Sequence, residues 1–217
     1  RAAQTKQDGS GPDAVAFTIS TTDEHCQRNA GRPVAQYLTE IPELVEIARG
    51  NGFDIDMAIA CVFGCPIAGP VPHAKAFELI DRGLDMGIKK FTPCDTTGEA
   101  SPERVYEFYT ELKERYPKAD CHLAHFHNTR GKGLANTLAA IVGGAERVEV
   151  SLGELGGQPA FIVDRIVGVG TGPLYTPADI AGNSSTEDAL VMLDEMGIDT
   201  GVDIDKVLQL GRLLEWV

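Results

Sequence analysis

Short apolar runs of strand length alternate with segments of helical period, and the alternation repeats five times along this chain. The strand candidates are residues 14–19 (AVAFTI), 55–63 (IDMAIACVF), 89–94 (KKFTPC), 121–127 (CHLAHFH) and 147–152 (RVEVSL). Between them the apolar residues recur at three and four, the mark of a helix with one buried face. Residues 33–49 place Tyr37, Leu38, Ile41, Leu44, Val45 and Ala48 on such a face. A helix beginning at Ser101 as N-cap and Pro102 as first residue directs Val105, Phe108, Tyr109 and Leu112 inward. Residues 134–142 are expected to bury Leu134, Leu138, Ile141 and Val142. Helices near 185–196 and 203–217 are expected to bury Ala189, Leu190 and Leu193, and Val207, Leu210 and Leu214.

Strand–helix alternation demands parallel strands joined by right-handed crossovers, so the class is α/β. Five units do not close an eight-stranded barrel. The chain is either an open five-stranded sheet or the last five units of a (β/α)8 TIM barrel whose first three lie ahead of Arg1. In both, ligands sit beyond the C-terminal ends of the strands. The segments that follow the strands bear this out in composition: STTDEHCQRNAGRP, GCPIAGPVP, DTTGEASP, NTRGKG and GELGGQP carry most of the reactive side chains. With 217 residues, a single domain over 1–217 is expected. A net charge of −13 disfavours nucleic acid and anionic membrane as partners. No apolar run reaches membrane-spanning length, and there is no secretory signal at the start. The odd set of Cys26, Cys61, Cys65, Cys94 and Cys121 reads as free thiols of a cytoplasmic protein.

His125 and His127 stand two apart at the end of a strand, so both rings face one way and can converge on one ion. The spacing serves two hydrogen-bonded histidines equally well. A hard metal needs oxygen donors, for which Asp95, Asn183 and Glu187 are candidates, although each stands where a turn or helix cap is also common. Gly156 and Gly157 can form a tight turn or let the backbone approach a ligand. Arg28, Arg32, Arg130 and Lys132 are candidates for an anionic ligand.

The segments GCPIAGPVP, DTTGEASP, HFHNTRGKGLANTLAAIVGGAERVEVSLGELGG and AGNSSTEDALVMLDEMGIDTGVD, in this order and spacing, resemble the 3-hydroxy-3-methylglutaryl-CoA lyases, within the metal-dependent TIM-barrel lyases and condensing enzymes. The likeness runs from about residue 53 to 206. It implies a barrel fold and retro-Claisen cleavage of a 3-hydroxyacyl-CoA, with Mg²⁺ or Mn²⁺ as cofactor. It also implies an acyl-CoA ligand and a homo-oligomer, a dimer. By position it implies His125, His127 and Asn183 as metal ligands, Asp95, His125 and Glu187 as catalytic groups, and Arg130, Gly156, Gly157 and Gln158 at the substrate.

Two departures from the family pattern are visible. The family's Arg-Asp pair on the first barrel strand, which supplies another metal ligand, has no counterpart before residue 14. Its Gly-Gly-Cys-Pro loop reads Gly-Gly-Gln-Pro here, and the amide of Gln158 has no proton to give near neutral pH. A substrate other than HMG-CoA is therefore expected. A Claisen or aldol condensing enzyme, and an inactive relative kept as a binding subunit, are the alternatives.

Overall fold

A computed structural model describes residues 2–120, 122–157 and 182–214, together with the backbone of 162–163 and 166–167. Cys121 and Gln158 lie outside the described residues. Helix α1 (Ala2–Gln7) precedes strand β1 (Ala14–Ser20), which leads into helices α2 (Asp23–Ala30) and α3 (Val34–Gly50). Three further units follow: β2 (Asp54–Ala60) with α4 (Ala74–Asp85), β3 (Lys90–Asp95) with α5 (Pro102–Arg115), and β4 (Leu123–Phe126) with α6 (Gly133–Gly143). After β5 (Arg147–Glu149) come a 3-10 turn (Leu152–Glu154) and the two-residue strands β6 (Ile162–Val163) and β7 (Ile166–Val167). Helices α7 (Thr186–Glu195) and α8 (Ile204–Leu214) end the described chain.

The five strands are parallel and lie in the order in which they occur, β1-β2-β3-β4-β5. A doubly wound sheet reverses its order at a switch point; sequential order is the arrangement of a barrel wall. The two faces of the sheet confirm it. Phe17, Ile19, Met57, Ile59, Phe91, Ala124 and Phe126 face the helices and join the main core. The alternate residues are small or polar: Thr18, Asp56, Ala58, Thr92, His125 and Glu149 line a concave cavity of about 240 Å³.

Aromatic side chains fill the helix layer. Phe77 and Phe108 stack with ring centroids 5.2 Å apart, and Phe63 meets Phe108 edge-on at 5.2 Å. Tyr109 is fully buried, and its hydroxyl donates to the Leu123 carbonyl at 2.9 Å. Ser101 caps α5 by accepting from the Arg104 N–H at 3.4 Å. Gly83 in α4 lies where an added Cβ would stand 2.3 Å from Phe91 Cε1. Gly83→Ala should therefore lower stability by about 1–3 kcal/mol through overpacking, against the small gain in helix propensity. Urea unfolding measures it; a variant as stable as the parent would show that Phe91 yields freely.

Several local expectations are corrected. Strand β2 ends at Ala60, not at residue 63, because Cys61 turns left-handed at φ 62°. Strand β5 ends at Glu149, just before the 3-10 turn. The segment after β1, expected as a loop, contains α2, whose only buried residues are His25 and Cys26. Two inward residues give no periodic signal. Helix α6 turns the adjacent face inward: Gly133, Asn136, Thr137, Ala140 and Gly143 are buried, whereas Leu134, Leu138 and Ile141 are half-buried and Val142 is 66% exposed. Close packing on α5 decides this, since a Cβ on Gly143 would meet the Tyr106 carbonyl oxygen at 2.9 Å. In α8, Leu210 is 51% exposed and Gly211 is buried against Glu187.

Candidate active site

The site is built at the C-terminal ends of β3, β4 and β5, with the segment before α7 laid across them. His125 stands in β4 one residue before its end, paired with Cys94 on one side and Glu149 on the other. His127 lies one residue past the strand, where its N–H donates to the Asp95 carbonyl at 3.3 Å and its backbone forms an antiparallel bridge with Asn183. The alternation persists, so the two rings converge with Nε2 atoms 3.0 Å apart.

What holds each ring matters more than their proximity. His127 Nδ1 is hydrogen-bonded to the Thr96 carbonyl. A carbonyl only accepts, so Nδ1 carries the proton and Nε2 presents its lone pair. Burial, with the neighbouring His125 charge, pushes the His127 imidazole down to about 4. His125 Nδ1 lies 3.2 Å from Glu149 Oε2.

Asn183 completes the group. Its amide Nδ2 donates to the Leu155 carbonyl at 2.8 Å, while its Oδ1 is buried with no partner among the described residues. Gly156 and Gly157 make that contact possible. Both are left-handed, at φ 92° and 78°, and a Cβ on Gly157 would stand 2.6 Å from the Gly182 carbonyl carbon. Gly157→Ala should cost about 1–2 kcal/mol in backbone strain alone and displace Asn183. A lowered melting temperature together with weaker Mn²⁺ binding is the expected result.

Asp95 and Glu187 are placed differently from the histidines. Asp95 is fully buried on the helix side of β3. Its Oδ1 accepts the Glu99 N–H at 2.8 Å, and the Ala100 N–H reaches Oδ2 at 3.1 Å. Asn136 approaches Oδ2 from α6 at 3.5 Å. Burial outweighs these donors and pushes the carboxyl up to about 6. Glu187 clamps the 3-10 turn, its two oxygens accepting the Gly153 N–H at 3.0 and 3.1 Å. Arg130 donates to Glu99 Oε1 at 2.7 Å, an ion pair whose carboxylate is 3% exposed. Three titratable cavity residues escaped the sequence reading, Asp56 on β2 among them. His25, with Nδ1 2.5 Å from Ser20 Oγ, lines the cavity from α2, and Glu149 lines it from β5. The four-residue step from His25 to Asn29, just past a strand end, was the available signal.

The HMGL-like family model matches residues 1–214. The chain belongs to the HMGL-like family. The hydroxymethylglutaryl-CoA lyase YngG of Bacillus subtilis is 29% identical over 91% of this chain and 60% of its own length. The (R)-citramalyl-CoA lyase of Chloroflexus aurantiacus is 28% identical, over 89% of this chain and 56% of that protein. Among solved structures, an HMG-CoA lyase from Acinetobacter baumannii, in complex with coenzyme A and 3-methylmalate, superposes with a TM-score of 0.80 at 32% identity. It is covered over 63% of its length, and this chain over 98%. The Bacillus subtilis HMG-CoA lyase gives a TM-score of 0.81 at 26% identity. The chain thus spans about 60% of the length of the curated relatives it matches. Within the HMGL-like fold, its five units are an arc of the TIM barrel.

The donor set bears on the metal that the HMGL-like resemblance implies. Among the described residues there is no cluster of three or more His, Cys, Asp or Glu side chains suited to an ion. The group at hand is instead two imidazole nitrogens and one amide oxygen. Two bonds of about 2.1 Å meeting at a right angle span about 3.0 Å, the separation of the two Nε2 atoms. With Asn183 bridged to His127 through the backbone and its Oδ1 without a partner among the described residues, these residues fit a divalent ion that keeps open positions for oxygen donors.

Among the described residues no helix is long and apolar enough to cross a membrane. Cys26, Cys61, Cys65 and Cys94 are free thiols.

Proposed function

We propose that this chain carries the metal-binding part of a carbon–carbon lyase that cleaves a 3-hydroxyacyl-CoA by retro-Claisen chemistry. The observation that carries the reading is the convergence of His125 and His127 Nε2 at 3.0 Å. His125, His127 and Asn183 would hold Mg²⁺ or Mn²⁺. Bound there, the ion supplies Lewis acidity, favouring the alkoxide of the substrate hydroxyl and the enolate that leaves. The relatives named for lyases acting on hydroxymethylglutaryl-CoA and citramalyl-CoA support the substrate class.

The chain's own groups divide the remaining work. A base within hydrogen-bond reach must accept the hydroxyl proton; with the His125 lone pair given to the ion, Asp56 and Glu149 are the carboxylates that open on the cavity. Thr92 donates to Asp56 Oδ2 at 2.9 Å, and burial raises the Asp56 carboxyl above its usual range. Asp95 and Glu187, expected as catalytic carboxylates, are engaged by backbone N–H groups, so we assign them to holding the loops that carry Thr96 and Gly153. Arg130, tied to Glu99, steadies the β3–α5 loop at the rim where a coenzyme would enter. Gln158, Gly156 and Gly157 belong to the loop that faces the acyl group. We place the whole in one domain of a cytoplasmic dimer.

The test is a panel of 3-hydroxyacyl-CoAs, HMG-CoA and citramalyl-CoA included, assayed with and without Mn²⁺ for release of acetyl-CoA. Metal-dependent release supports the lyase. An intact protein that binds neither Mg²⁺ nor Mn²⁺ at micromolar concentration would sink it. Glutamine in place of the family thiol favours the reverse reaction as a second reading; carbon–carbon bond formation from acetyl-CoA and a keto acid, without cleavage, would establish that one.

A further inference from the structure

Resting on the metal reading above, the geometry points to Glu149 as the positioning residue that selects the tautomer of His125 and so aims its Nε2 at the ion. The two residues are register partners across β4 and β5, so their side chains rise from the same face of the sheet. His125 Nδ1 is buried and has no aligned hydrogen bond among the described residues; the Glu149 carboxylate, 3.2 Å away, is the group that faces it. A carboxylate accepts and does not donate, so it draws the proton of a neutral His125 to Nδ1 and frees the Nε2 lone pair for an ion, against the His127 Nε2 lone pair 3.0 Å away, which draws the same proton to His125 Nε2 while no ion is bound.

The pair mirrors the neighbouring ring. His127 is oriented by a backbone carbonyl, that of Thr96, which no side-chain substitution removes. His125 depends instead on a side chain. The site therefore has one ring locked by the main chain and one set by a charge. That charge also raises the electron density of the imidazole it faces, strengthening it as a ligand. Strand β5 is only three residues long, and Glu149 is its last; the turn that follows leads to Gly156, which packs on Asn183, and Gly157, which packs on Gly182. The same short strand thus sets an imidazole nitrogen and the segment that holds the Asn183 amide.

Glu149→Ala, Glu149→Gln and the parent are compared in two measurements. The first is Mn²⁺ binding by calorimetry; the second is the ring-nitrogen shifts of His125 and His127 by ¹⁵N NMR in the metal-free protein. In Glu149→Ala the Mn²⁺ dissociation constant should rise about 10–100-fold, and His125 should lose its Nδ1–H preference while His127 keeps its own. Glu149→Gln retains an acceptor without the charge, so it should keep the His125 tautomer and bind Mn²⁺ with intermediate affinity. The side chain is 50% exposed, so neither change removes core packing, and melting temperatures should match. Parent-like Mn²⁺ affinity and an unchanged His125 tautomer in Glu149→Ala would overturn the inference. If the parent binds no Mn²⁺, the lyase reading fails, and the His125 shifts in parent and Glu149→Ala still decide the role of Glu149.

Discussion

His127→Ala is expected to abolish measurable Mn²⁺ binding and to lower turnover of any 3-hydroxyacyl-CoA substrate by at least about 10³-fold. Lewis-acid stabilisation of a developing alkoxide or enolate is worth several kcal/mol, and each 1.4 kcal/mol is about a factor of ten in rate. The loss should fall on turnover more than on coenzyme affinity, because the ring faces the reacting centre of the proposed site. The fold should survive. Besides its contact with His125 Nε2, the ring is held by a hydrogen bond to the Thr96 carbonyl, whose loss costs about 1–3 kcal/mol if that oxygen stays unsatisfied. Calorimetry with Mn²⁺, steady-state assays and circular dichroism separate the effects. Parent-like turnover in a folded His127→Ala protein would remove the histidine pair from the chemistry.

Asp95→Asn should change how stability responds to pH, and in a direction that exposes His127. The Asp95 carboxyl is pushed from 3.8 to about 6 by burial, so in that interval the folded protein keeps a proton that the unfolded chain has lost. Stability then falls as pH rises, by about 3 kcal/mol over two pH units. The His127 imidazole goes the other way, from 6.5 down to about 4. Over that interval the unfolded chain binds a proton that the folded protein refuses, so stability rises with pH by about 3 kcal/mol. The two slopes oppose each other between pH 4 and 6 and largely cancel in the parent. Removing the carboxyl leaves the His127 slope alone. The metal-free variant should therefore gain up to about 3 kcal/mol over the parent above pH 6, and lose that advantage as the pH falls to 4. The amide can still accept the Glu99 N–H, and Asn136 offers a buried Oδ1 that has no partner among the described residues. Urea unfolding with chelator present, at pH 4.5 and 7, measures the difference. Parallel curves for parent and variant would refute the assignment.

How much of this was legible follows from what each signal depends on. The two-residue spacing of the histidines needs only strand alternation, and their convergence agrees with it. The same parity places Asp95 with Phe91 on the helix face, a reading that the sequence permitted although a catalytic role was expected. Which face of α6 turns inward could not be read, because Gly133, Thr137 and Ala140 recur with the same period as Leu134, Leu138 and Ile141. Glycine won because two helices approach closely, and that distance is a tertiary fact. Glu149 escaped for a related reason. Its importance lies in being opposite His125, and register between strands is set by the whole sheet. Asn183 could be read from the sequence as one of three candidate oxygen donors; the family resemblance set it apart from Asp95 and Glu187 as a ligand.

The bridge between His127 and Asn183 joins two stretches far apart along the chain, one ending β4 and the other leading into α7. Anything that bears on both side chains at once therefore acts as a clasp on the C-terminal helices. Local opening of α7 and α8 would have to release it, so occupancy of the site and detachment of these helices are mutually exclusive. An ion held at a hundred times its dissociation constant adds about 2.7 kcal/mol against that opening. The slowest-exchanging amides of the α7–α8 region would then report how full the site is, in a cell as well as in a tube.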